Sequence, residues 1–197
     1  MFLMRRTFPF LLLMLFVATS CGSLRNGPPP ADPQQIVATP KPTPTSTEFV
    51  LTSPDVAEAG NLPKEYTCDG LSATLPLNWQ NAPAGTTSFA VVMHHIPGPG
   101  DSHWYWMLYN IPATVTALPK NSQGVGILGT NSVNGRTEYS PPCSKGPGAK
   151  DYTYTIYALA SAPEFTVAPD VVDRDTLLAA IADRTLGSAT LNVIYSR

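Results

Sequence analysis

Residues 88–110 read Ser-Phe-Ala-Val-Val-Met-His-His-Ile-Pro-Gly-Pro-Gly-Asp-Ser-His-Trp-Tyr-Trp-Met-Leu-Tyr-Asn, and this stretch decides the kind of fold the chain can have. Ser88 to His94 is apolar on both faces, the pattern of a central strand covered above and below. Pro97-Gly98-Pro99-Gly100 is turn chemistry, and Trp104 to Asn110 is a second extended segment, rich in the aromatic residues that favour strands. Working outward, Tyr152 to Leu159 sets Tyr152, Tyr154, Ile156 and Ala158 opposite Thr153, Thr155, Tyr157 and Leu159, a strand with unequal faces. Ala189 to Tyr195 is a fourth candidate. Asn61-Leu62-Pro63 and Ala82-Pro83-Ala84-Gly85 add turns at the spacing of a β-sandwich. One helix is expected at Thr176 to Ala182, capped by Asp173 or Asp175 and stopped by Gly187.

Composition agrees with that reading. Hydrophobic residues make up 43% of the 197, enough for one core, while 21 prolines, 14 glycines and 13% charged residues argue against helical bundles, coiled coils and acidic disordered chains. A formal charge of −2 lacks the clustered cations that nucleic acid requires, so no nucleic-acid partner is expected.

The start of the chain carries an address. Arg5 and Arg6 precede an apolar run from Phe8 to Val17, too short for a comfortable membrane span, and small residues follow. Ala18-Thr19-Ser20-Cys21 resembles the bacterial lipobox, in which the Cys is acylated and becomes the first residue of the mature chain. Cleavage after Ser20 as a simple signal would leave the same N-terminus without lipid. Losing residues 1–20 removes two Arg and no acid, taking the charge from −2 to −4. From Gly22 to about Thr47 the sequence is dominated by Pro, Thr, Ser and Ala and cannot offset its ordering entropy. The expected organisation is a lipoprotein signal peptide at 1–20, a lipidated Cys21 with a proline-rich tether to 47, and a folded domain at 48–197. The protein is expected to be exported and anchored to the bacterial cell membrane or outer membrane.

Within the domain, Cys68-Asp69-Gly70 followed by Leu75-Pro76-Leu77-Asn78-Trp79 resembles the phosphatidylethanolamine-binding protein family, in particular its bacterial Raf-kinase-inhibitor-like branch. Phe89 to Met93 is similar to the strand leading into the family's acidic turn, and Trp106-Met107-Leu108-Tyr109-Asn110-Ile111-Pro112 to its Trp-x-x-Tyr-Asn-Ile-Pro segment. Tyr139-Ser140-Pro141-Pro142-Cys143 resembles its Gly-Pro-Cys-Pro-Pro loop, and Tyr152 to Leu159 the strand after it. The resemblance implies a mainly β fold, an antiparallel Greek-key sandwich with a C-terminal helix, and a small pocket for anionic groups such as phosphate.

The pocket positions depart from the family. Its acidic turn falls near Met93-His94-His95-Ile96, its first histidine is replaced by Tyr105, and its second by Lys150. Asp69, Tyr139, Pro142 and Cys143 carry over. All three histidines, His94, His95 and His103, lie within ten residues with Asp101 among them. Adjacent strand residues point to opposite faces, so His94 and His95 do not share an ion unless the strand ends there, and no metal or cofactor is expected. One of these histidines is readily accounted for as a hydrogen-bonded core residue, with the others at strand ends. His103 and Tyr105 are two apart and share a face.

Ser102, Ser140 and Ser144 occupy no Gly-x-Ser-x-Gly elbow, and Gly124 to Gly129 matches a dinucleotide spacing by letter without a surrounding βαβ unit. The expected ligand set is Asp69, His94, His103, Tyr105, Pro142 and Lys150, binding a small anionic or zwitterionic group without catalysis. Because Asp69 opposes a bare dianion, a zwitterion or monoanion fits best. A hydrolase or metal-dependent enzyme built on the histidine cluster, and a protein-interaction or inhibitor module with a protein partner, are the alternatives. With Cys21 assigned to lipid, Cys68 and Cys143 form an even pair near the implied pocket, expected as a disulfide, with two buried thiols as the alternative.

Overall fold

The structure, a computed structural model, describes residues 47–98 and 101–197. The expected signal at 1–20, Cys21 and the tether up to residue 46 lie outside the described residues, as do Pro99 and Gly100 of the turn. In chain order the strands are β1 (Val50–Thr52), β2 (Gly60–Asn61), β3 (Leu77–Gln80), β4 (Ser88–Gly98), β5 (Asp101–Pro112), β6 (Ala117–Leu118), β7 (Ile127–Leu128), β8 (Ala149–Leu159) and β9 (Thr185–Ser196). The α-helix α1 (Arg174–Ile181) precedes β9. A three-stranded sheet has the order β1-β3-β6, and a six-stranded sheet the order β2-β9-β8-β4-β5-β7. All pairings are antiparallel except β2 with β9.

The central strand is β4, and its two-faced apolar sequence explains why. Phe89, Val91 and Met93 join the core between the sheets, with Leu77 and Trp79 from β3 and Tyr152, Tyr154 and Ile156 from β8. Ala90 and Val92 face the other way, into a second core under Leu177 and Ile181 of α1. A strand with covered faces on both sides cannot alternate polar and apolar residues. The same layering resolves the unequal faces of β8: Tyr152, Tyr154, Ile156 and Ala158 fill the inter-sheet core, while Leu159 and Tyr157 meet the helix side.

Along β5 the pairing with β4 slips by one residue: Met93 faces Trp106 but His94 faces Trp104, leaving Tyr105 as the extra residue of a bulge. A bulge re-aims side chains. Tyr105 and Trp106, neighbours in sequence, both pack on the inter-sheet side, and Trp104 and Met107 lie on the helix side.

The helix starts as expected, with the Asp173 side chain accepting from the Thr176 N–H at 2.8 Å, a cap worth about 1 kcal/mol. Asp175 instead pairs with Arg174 at 3.2 Å. Gly187 is not the stop. It lies inside β9, opposite Ala158, because β9 begins at Thr185 as the chain re-enters the sheet beside β8. A side chain at position 187 would meet the Pro83 ring at 3.0 Å, so glycine there serves packing rather than helix termination.

Candidate ligand cavity

Strand alternation brings one set of side chains to one end of the six-stranded sheet. His95 and Pro97 of β4, Asp101, His103 and Tyr105 of β5, and Lys150 and Tyr152 of β8 are spaced by two within each strand, and all line a cavity of about 600 Å³. His95 lies directly opposite His103 across the β4–β5 pair. The remaining wall is the 140–145 loop, through Ser140, Pro141, Cys143, Ser144 and Lys145, with Cys68, Ser132 and Val133.

That loop is fastened at several points. The Ser140 N–H donates to the Tyr105 carbonyl at 2.8 Å, and the Cys68 N–H to the Pro142 carbonyl at 3.0 Å. The Tyr139 hydroxyl donates to the Tyr66 carbonyl at 2.9 Å, and its ring stands edge-on to Trp106, 5.9 Å between centroids. Cys68 and Cys143 form a disulfide across 75 positions of sequence, so the expected pairing is present and forms part of the wall.

Tyr152 sits at the floor, with ring centroids 5.2 Å from His95 and 5.3 Å from Tyr105. Burial, then the neighbouring Tyr105 hydroxyl, raises the Tyr152 pKa, so the phenol stays protonated. His95 Nδ1 donates to the Asp151 carbonyl at 2.7 Å, leaving Nε2 for other partners. His103 Nε2 lies 3.4 Å from Asp101 Oδ2, and Lys150 Nζ donates to the Lys145 carbonyl at 2.7 Å. Ser144 is 2% exposed, and its hydroxyl has no hydrogen-bond partner among the described residues. Two lysines and two histidines therefore face a single carboxylate, Asp101. Among the described residues no three His, Cys, Asp or Glu side chains gather as a metal centre would need.

Of the expected ligand set, His103, Tyr105 and Lys150 line the cavity. Pro142 is buried behind it, its neighbour Pro141 taking the surface position. Asp69 is not among the lining side chains, because it is held by Tyr195 and Arg197. His94 shares the parity of Ala90 and Val92 and so faces the helix side, while the neighbouring His95 takes the cavity. Asp101 was visible from its spacing with His103 and Tyr105; Ser144 and Lys145 carry no comparable signal in the sequence.

The position of His94 has a pH consequence. Burial, then the Arg174 guanidinium and His95, lower its pKa from the ordinary value of 6.5. A depressed folded-state value means its contribution to stability is complete above the unfolded-state pKa and is lost as pH falls below it. The thermal midpoint of His94→Gln should therefore fall less than that of the wild type on acidification from about pH 7 to about pH 5. Equal falls in the two proteins would contradict this account of His94.

A three-stranded sheet on a six-stranded sheet, with a helix on the far side, defines a β-sandwich with a polar cavity at one end of the larger sheet. Residues 52–196 match the pattern described as phosphatidylethanolamine-binding protein, and the chain belongs to that family. A UPF0098 protein from Methanothermobacter thermautotrophicus is 29% identical over 145 residues, covering 71% of this chain and 93% of the relative. Among solved structures, a phosphatidylethanolamine-binding protein homolog from Chlamydia trachomatis superposes with a TM-score of 0.70 at 24% identity, covering 77% of this chain and 99% of that one. Escherichia coli YbcL superposes with a TM-score of 0.68 at 24% identity, covering 76% of this chain and 99% of that one. At those identities the two structures establish the fold.

Proposed function

We propose that this protein is an exported, lipid-anchored binding domain whose cavity takes a small anionic or zwitterionic, phosphate-type ligand and does not turn it over. The observation that carries this reading is Ser144, a buried hydroxyl with no partner among the described residues, in the wall of a cavity that also presents Lys145, Lys150, His95 and His103. A buried polar group left unpaired costs free energy, and a ligand oxygen beside it would supply the missing bond. Charge-assisted bonds from lysine ammonium groups favour the same oxygen-rich anion. The name of the family, with its ethanolamine phosphate headgroup, points to the same ligand class. The disulfide suits an oxidising compartment, which agrees with the signal and lipobox-like Cys21.

Isothermal titration with inorganic phosphate tests the reading. The wild type should bind weakly and saturably, and Lys150→Ala should bind about tenfold less tightly, the size of one charge-assisted bond at a partly solvated site. His103→Ala should also bind phosphate less tightly, since its ring N–H is lost as a donor from the cavity wall. Affinity unchanged in both variants would overturn the assignment.

A further inference from the structure

Asp69 and Arg197, 128 positions apart, form an ion pair. The Arg197 guanidinium grips the carboxylate with two prongs, Nη2 donating to Oδ1 at 2.5 Å and Nε to Oδ2 at 2.9 Å, and the Tyr195 hydroxyl donates to Oδ2 as well. These bonds, Tyr195 first and Arg197 next, hold the Asp69 pKa below the ordinary carboxylate value, so the group is charged and compensated. The pair lies just behind the cavity wall. Cys68, the neighbour of Asp69, and its disulfide partner Cys143 both line the cavity, and Arg197 Nη1 is 3.8 Å from Cys143 Sγ. Tyr195 stands opposite the cavity residue Lys150 in the β8–β9 ladder.

We infer that Arg197 is a specificity-determining residue: by holding Asp69 outside the cavity and neutralising it, Arg197 sets the site for phosphate that carries no amine. The inference rests on the proposed anion site and refines its ligand class. A free carboxylate beside the cavity would repel the second negative charge of phosphate and would accept from an ammonium group, so it would favour a zwitterion such as phosphoethanolamine. The two-pronged Arg bond and the Tyr195 hydroxyl together occupy the acceptor positions an ammonium would need. Only Asp101 among the lining residues then remains as a carboxylate, set against Lys145 and Lys150.

Calorimetry with inorganic phosphate and with phosphoethanolamine, on the wild type, Arg197→Gln and the double variant Arg197→Gln/Asp69→Asn, tests this. The wild type should prefer phosphate. Arg197→Gln should lose about fivefold in phosphate affinity, the effect of one uncompensated charge acting through hydrated surroundings, with no loss for phosphoethanolamine. Adding Asp69→Asn should restore phosphate binding, a rescue that a merely structural role of Arg197 would not produce. Wild-type phosphate affinity in Arg197→Gln, or equal losses for both ligands without rescue, overturns the role of Arg197 and leaves the anion site standing. A wild type that binds neither ligand overturns the anion site, and the role of Arg197 falls with it.

Discussion

Replacing Cys68 and Cys143 together by alanine is expected to lower the unfolding free energy by about 4 kcal/mol. The disulfide closes a loop spanning 75 positions, and in the chain-entropy treatment the unfolded chain regains roughly that much freedom when the link is cut. For a domain whose whole stability is about 5–15 kcal/mol, this is a large share. The effect reaches the site as well, because both cysteines line the cavity and the link ties the segment carrying Asp69 to the 140–145 loop. Urea denaturation of the wild type and the double variant measures the difference. A loss under about 1 kcal/mol would mean that the backbone bond from Cys68 to Pro142 and the Tyr139 anchor hold the loop without the covalent link.

Trp106→Ala is expected to cost a similar amount, about 3–5 kcal/mol, for a different reason. The indole is 2% exposed, lies in the inter-sheet core, and meets the Tyr139 ring edge-on. Truncation removes a large apolar surface and leaves a cavity beneath Tyr139, the residue that anchors the 140–145 loop. The thermal midpoint should fall by many degrees, and the weakened Tyr139 anchor should loosen the loop, giving faster amide exchange at Ser140, Cys143 and Ser144 than in the wild type. A stable variant with an unchanged loop would show that Trp106 is a spectator.

The strands were legible because burial forces periodicity on sequence. The segment from Ser88 could only be central, since no polar face was left for water, and the alternation along β8 matched two cores of different size. What stayed hidden depends on register and on distant pairing. Sequence parity alone said that His94 and His95 point to opposite faces, but which of them meets the cavity follows from the pairing of β4 with β8, fixed only in the fold. The bulge at Tyr105 is a mismatch between two strands and leaves no trace in either one alone.

Asp69 was expected in the pocket and is instead paired with Arg197, 128 positions away, a contact that exists only because β9 ends beside the disulfide. Gly187 misled for a related reason: a glycine after an apolar helical stretch reads as a stop, but the helix ends earlier and the glycine serves a close approach to Pro83.

The proposed site holds a phosphate-type ligand where Ser144, His103 and Lys150 meet one cavity. Titration of the isotope-labelled wild-type domain with inorganic phosphate, followed by amide NMR, tests it most directly. Saturable shifts concentrated at Ser144, Lys145, His103 and Lys150 are expected, with the β4 core unmoved. An absence of saturable shifts, or shifts clustered instead at the second cavity, lined by Val50 to Thr52 of β1 and Ser188 to Thr190 of β9, would rule it out.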